Sequence, residues 1–300
     1  MGIKNNQWTI EKTVQSIDRG ELLLPAIQRE FVWDMKAVCE FFESIFQGLP
    51  IGAAIFWQYN PHDQRKHHFY NFIKYYDDWS DNQGGKATLQ ELKQSKFSVV
   101  DGQQRLTSLY LGLKGYVKGS NNQPECLLMD LSEPKADNEN SPVDFAGKNS
   151  RFRFGIANYG PLNKILRSPE SPDLLFKVSD ILKIKNRNAA EKYLTTNMGY
   201  AQGRPNTEYA IAALEQLRYE VCVSERILIE TLETKSMDTV LSAFIRVNKK
   251  GVPLNDFELM KSVLANQMKN RNGKAMIRNL VSAFGKFKLG TKDELVIKVA

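Results

Sequence analysis

The stretch FSVVDGQQRLTSLYLGL at residues 97–113 limits most narrowly what this chain can fold into. A short apolar run ends at Asp101, Gly102 frees the backbone for a tight turn, and the period then changes from strand to helix. Leu106, Leu109, Tyr110 and Leu113 recur at i, i+3, i+4 and i+7, an apolar stripe facing a core. The segment therefore predicts a buried strand that turns sharply into an amphipathic helix, with its polar residues gathered at the turn. The first N–H groups of a helix have no partner inside it, so such a turn is a candidate anion site.

On these residues alone two readings stay open. Asp101 and Gln104 have the spacing of a capping box, which would only satisfy the helix end. Arg105 falls outside that account, because a positive charge in a first helical turn opposes the helix dipole unless an anion or carboxylate lies nearby. A structural cap and a phosphate site both fit.

Three ordered stretches carry a resemblance. They are Ile27-Gln28-Arg29-Glu30-Phe31-Val32-Trp33 with Leu49-Pro50-Ile51-Gly52 after it, the Asp101-Gly102-Gln103-Gln104-Arg105 turn, and Phe244-Ile245-Arg246-Val247-Asn248-Lys249-Lys250-Gly251-Val252-Pro253-Leu254. Together they resemble the N-terminal domain of GmrSD-type modification-dependent restriction systems, a domain regarded as ParB/sulfiredoxin-like. The first is similar to the family's Q-R-x-(aromatic)-x-W segment and the last to its F-x-x-(aliphatic)-N-x-x-G-x-x-L segment, with Lys249-Lys250 where the family often has Thr-Arg.

The resemblance implies an α+β fold: a small, mixed ParB/sulfiredoxin-like sheet with packed helices, then a mainly helical C-terminal region. It divides the chain into a nucleotide-binding domain at 1–235, with an insertion at about 60–95, and a basic helical region at 236–300 that reads as truncated. It implies a nucleotide-binding, NTP-hydrolysing regulatory domain of an anti-phage DNA restriction system, using Mg2+ and a nucleoside triphosphate. Asp101, Gln104 and Arg105 would be catalytic and Asp101 the metal ligand. Gln28, Arg29, Gly102, Gln103, Gln104, Arg105, Thr107 and Asn248 would hold the nucleotide. The implied partners are DNA, through the full-length protein, and a nuclease domain or subunit; in related systems a His-Me-finger nuclease domain often follows. Homo-oligomerisation stays open. The alternatives are a DNA-binding or modification-sensing module without hydrolytic activity, and a ParB-like nuclease. No compact metal-binding carboxylate cluster favours the last.

Composition narrows the setting. Of 300 residues 42% are hydrophobic and 25% charged, as in a globular chain, and no run of about 18 apolar residues is present to span a membrane. The first residues show no signal-peptide core. Cys39, Cys126 and Cys222 are far apart and odd in number, which fits inert buried thiols in a reducing cytoplasm rather than a disulfide framework or metal motif. His62, His67 and His68 lack a spaced carboxylate or cysteine partner for a metal. The net charge of +7 is uneven: residues 244–300 hold 12 Lys/Arg against 4 Asp/Glu, and the rest of the chain is nearly balanced. That basic segment suits either a solvated helical face or contact with nucleic-acid phosphates.

Local patterns predict further elements. Thr9 caps a helix running to about Arg19, with Gly20 as its stop, and Asp34 caps a second whose Val38, Phe41, Phe42, Ile45 and Phe46 face inward. Trp33 reads as a packing anchor. Residues 53–58 form a strand buried on both faces. Strands are expected at 125–131 and 152–156, a helix at 207–222, a β-like segment at 226–232, and a helix whose apolar stripe of Met237, Leu241 and Phe244 ends in Asn248. Asn248 either caps its own helix end or contacts a nucleotide.

Overall fold

The computed structural model describes residues 2–28, 30–59, 68–77, 84–119, 122–132, 150–155, 175–198, 207–234 and 236–248. The described chain runs β1 (Gly2–Trp8), α1 (Ile10–Asp18), β2 (Leu22–Pro25), α2 (Met35–Phe46), β3 (Ala53–Gln58), β4 (Phe69–Tyr70) and β5 (Tyr75–Tyr76). Then come α3 (Leu89–Gln94), β6 (Phe97–Asp101), α4 (Gln103–Leu113), β7 (Tyr116–Lys118), β8 (Pro124–Asp130), β9 (Phe152–Gly155) and β10 (Leu175–Lys177). A 3-10 turn (Val178–Lys183) leads into α5 (Arg187–Met198) and α6 (Thr207–Arg218); a π-helical turn (Tyr219–Val223) precedes β11 (Ile227–Glu233) and α7 (Met237–Asn248).

A six-stranded mixed sheet in the order β1-β11-β3-β6-β2-β4 forms the centre. Strands β2 and β6 are parallel, β3 and β11 are parallel, and the two pairs meet antiparallel at β3–β6. Consequently the C-terminal ends of β2 and β6 lie beside the N-terminal ends of β3 and β11. A smaller sheet, β10-β8-β7-β5 with β9 also paired to β8, packs alongside.

Successive residues of a strand point to opposite faces, and both faces of the central sheet are apolar. Leu22, Leu24, Phe56, Val99, Ile227 and Ile229 join α1, α2, α4 and α6 in the main core. Leu23, Trp57 and Val100 point the other way, where Val240 and Phe244 of α7 cover them. The fold is thus α+β with mixed sheets, and the helices lie on both faces of the larger one.

Local signals behaved as their chemistry requires. Thr9 caps α1 by accepting from Lys12 N, Gly20 follows at φ +71°, and Asp34 Oδ1 caps α2 by accepting from Ala37 N at 2.7 Å. Trp33 packs edge-on against Phe41 at 5.4 Å. The helix expected at 207–222 is α-helical only to Arg218 and ends in the π-helical turn. Of the three cysteines expected to be buried, Cys39 is buried whereas Cys126 and Cys222 are half-buried, and burial raises the Cys39 and Cys222 thiols to about 12. Among the described residues no helix is long and apolar enough to cross a membrane. His62, His67 and residues 249–300 lie outside the described residues, and with them most of the basic segment.

Candidate functional site

The turn between β6 and α4 sits at the sheet end where β2 and β6 finish and β3 and β11 begin. Gly102 is the helix N-cap at φ +92°, with no side-chain capping bond. A Cβ there would meet Ala54 Cβ at 3.1 Å, so both conformation and close approach require glycine. The capping-box reading of Asp101 and Gln104 does not hold, since their side chains go elsewhere. The first intrahelical bond is Leu106 N to Gly102 O, which leaves the preceding N–H groups at the helix end without intrahelical partners.

At about 100° per residue, the side chains of this turn fan out around the helix. Gln104 reaches the loop after β2: its Oε1 accepts from Val32 N and its Nε2 donates to Glu30 O, both at 2.9 Å. From that loop Gln28 returns the tie, its buried Nε2 donating to the β6 carbonyls of Val99 at 3.1 Å and of Val100. The two glutamines lace the first and second motifs together.

Arg105 points to the segment between α2 and β3. Its Nη1 donates to Ile51 O at 2.9 Å, and its Nη2 to Ala53 O at 2.7 Å and to Asp101 Oδ2 at 3.4 Å. These contacts engage three of the five N–H donors of a guanidinium. Gly52 stands between the two carbonyls at φ +79°, and a Cβ there would lie 2.5 Å from Arg105 Nη1. The side chains of Arg105 and Asp101 are 25% and 28% exposed. Burial lowers the Arg105 pKa and the charge of Asp101 opposes that shift. Beside it Phe41, Ile51, Gly52, Ala54, Leu106 and Ile227 help line a cleft of about 10 Å³, room for a single water.

Gln103 and Thr107, one turn apart, lie on the other side of α4 from Arg105. They are 7% and 1% exposed, and neither Gln103 Oε1 nor Thr107 Oγ1 has a hydrogen-bond partner. The structure therefore brings Asp101, Gly102, Gln103, Gln104, Arg105 and Thr107 to one helix start but aims them at three surroundings. Gln28 is tied in beneath them. Arg29 lies outside the described residues, and Asn248 is the final residue of α7. Sequence reasoning missed the carbonyls of Ile51 and Ala53 as partners of Arg105; only Gly52, inside the Leu-Pro-Ile-Gly segment, hinted at them.

Among the described residues no group of three or more His, Cys, Asp or Glu side chains could hold a metal ion. Asp101 alone offers a part-exposed carboxylate at the turn. One carboxylate fits Mg2+, which keeps most of its shell as water and substrate phosphate oxygens.

A family model described as the GmrSD restriction endonuclease, N-terminal domain, matches residues 10–265. An uncharacterized protein of Methanocaldococcus jannaschii is 26% identical over 147 residues, 48% of this chain and 24% of that protein. The matched stretch thus spans about a quarter of that relative's length.

Proposed function

The chain belongs to the family of GmrSD restriction endonuclease N-terminal domains, and on that premise we propose that it binds and hydrolyses a nucleoside triphosphate to regulate DNA restriction in phage defence. One observation supports this most: a part-exposed Arg105, with guanidinium donors left over from its carbonyl and carboxylate partners, sits in the first turn of a helix whose N-terminus has no side-chain cap. Helix N–H groups and a guanidinium are complementary to phosphate oxygens. The cleft itself holds no more than a water, so the phosphates would bind at its mouth over the turn.

In this reading Arg105 takes phosphate oxygens with the donors its carbonyl partners leave over. The N–H groups at the start of α4 add to the anion site, while the unsatisfied Gln103 and Thr107 side-chain atoms lie buried on the other side of that helix. Gln28 and Gln104 hold the loop that bears Arg29. Asp101 would hold Mg2+, which when bound neutralises phosphate charge. A ParB/sulfiredoxin-like relationship of the fold, a cytoplasmic setting and a nuclease domain or subunit as partner belong to the same proposal.

Calorimetry of ATP, GTP, CTP and UTP with magnesium tests it on the wild-type chain, Arg105→Ala and Arg105→Lys. Saturable binding, lost in the alanine variant and weakened at least tenfold in the lysine variant while both still melt cooperatively, is the expected result. No binding of any nucleotide by the wild type overturns the assignment. The DNA-binding reading, favoured by the basic segment at 244–300, then takes its place. That reading requires salt-dependent duplex binding that disappears when Lys269, Arg271 and Lys274 are neutralised.

A further inference from the structure

The segment joining α2 to β3 is gripped by an arginine at each end. At its far end Arg105 takes the carbonyls of Ile51 and Ala53. At its near end Arg226, just before β11, donates through Nη1 to Gly48 O at 2.8 Å. The remaining guanidinium nitrogens of Arg226, Nε and Nη2, pair with the carboxylate of Glu220. Glu220 lies in the π-helical turn and is only 2% exposed. One turn earlier, Gln216 Nε2 donates at 3.2 Å both to Glu220 Oε1 and to Phe46 O.

The two clamps are built alike. Gly48 and Gly52 both have positive φ, +74° and +79°. A Cβ on Gly48 would lie 3.0 Å from Arg226 Nη2, as one on Gly52 would crowd Arg105. Each guanidinium thus fills the space a glycine leaves open and takes a carbonyl from the same strap. Between the clamps stand Leu49 and Pro50; Leu49 N bonds back to Ser44 O at 2.9 Å, and proline has a fixed φ. A link so short and stiff has little slack to absorb movement at either end. The π-helical turn that ends α6 places Glu220 opposite Arg226, and such turns are frequent at functional sites. Arg226 engages the Glu220 carboxylate and Gly48 O at once, so the ion pair ties the π-helical turn to the strap.

We propose that Glu220 and Arg226 are positioning residues for the motif turn: they fix the α2–β3 strap, whose carbonyls fix the guanidinium of Arg105. The role rests on Arg105 being the phosphate-binding group, but the mechanical coupling needs no ligand. An oxyanion that takes the remaining donors of Arg105 pulls its guanidinium against the carbonyls of Ile51 and Ala53, and the change reaches the π-helical turn through Gly48 and Arg226. Ligand occupancy at the motif is thereby transmitted to the junction of α6 and β11.

Amide hydrogen exchange tests the coupling on the full chain, read at 47–53 and at 219–226. Arg105→Ala, which removes no contact in the second region, accelerates exchange there by about tenfold. Arg226→Gln and Glu220→Gln accelerate exchange at 51–53 by a similar factor, and Arg226→Lys restores part of the protection. Tyr193→Phe, which removes a part-buried hydrogen bond to Asp180 elsewhere, leaves both regions unchanged. Changes confined to the residues each arginine touches overturn the proposal. If Arg226→Gln does not fold, Arg105→Ala and Arg226→Lys decide it from the two ends. Magnesium-ATP affinity supplies the second readout: Arg226→Gln weakens it about tenfold, and Arg226→Lys by less. A wild type that binds no nucleotide removes the phosphate role of Arg105, whereas the exchange data judge the coupling separately.

Discussion

Asp18 shows what a single side chain does where α1 ends against the last turn of α4. Its carboxylate accepts from Tyr110 OH at 2.9 Å and from Lys114 Nζ at 2.8 Å, so the last residue of α1 holds the last turn of α4. Partial burial pushes its pKa up, but the Lys114 and Tyr110 hydrogen bonds and the charges of Lys114 and Lys74 outweigh this and leave it below the ordinary value. A carboxyl depressed in the folded state stabilises above its unfolded pKa, and the contribution fades as pH falls through the folded value. Asp18→Asn should therefore cost about 0.5–1 kcal/mol at pH 7, discounted for solvent screening. The difference between variant and wild type should shrink below about pH 4. Urea midpoints at pH 7 and pH 3 check this, and a gap that stays constant with pH contradicts it.

At the level of elements, what was legible in the sequence was local. Thr9 and Asp34 announce α1 and α2 because a cap and its first N–H partners lie within three residues, and β3 and β6 announce themselves by apolar runs. The N-terminal strand was not legible: GIKNNQW has no strand-like apolar pattern, and it exists through antiparallel pairing with β11 more than two hundred residues away. The motif turn was legible as a strand, a glycine and a helix. Its wiring was not, because the partners of Gln28, Gln104 and Arg105 are backbone groups supplied by distant segments. Gln104 illustrates the consequence, since both ends of its amide are spent on the loop at 30–32. Gln104→Ala should leave α4 intact and lower stability by about 1–2 kcal/mol, the loss of two net hydrogen bonds. Exchange of the Val32 amide should rise at the same time. An unchanged Val32 amide would show that the loop is held by something other than this side chain.

The molecule as a whole depends on a sheet that is apolar on both faces, and such a sheet is stable only when both are covered. One face carries α1, α2, α4 and α6. Among the described residues, the other face has α7 as its longest cover, with Val240 and Phe244 seated against Leu23, Ile27, Trp57 and Val100. Trp57 Nε1 also donates to Thr234 O at 2.9 Å, which fixes the chain as it leaves β11 for that helix. Because β11 ends at the side of the sheet away from the motif turn, α7 must run back across the face towards it to reach Val100. Phe244, which opens the third motif, thus packs in one cluster with Ile27 of the first motif and with Val100 beside the second, although they are far apart in sequence. Phe244→Ala should accordingly destabilise the whole sheet by about 3–5 kcal/mol, the range for a large buried aromatic. A fragment ending at residue 235 should bind a hydrophobic dye and lose cooperative melting. A fragment that melts like the full chain would mean that the second face is closed by other residues, and that α7 contributes the Asn248 motif without contributing to the core.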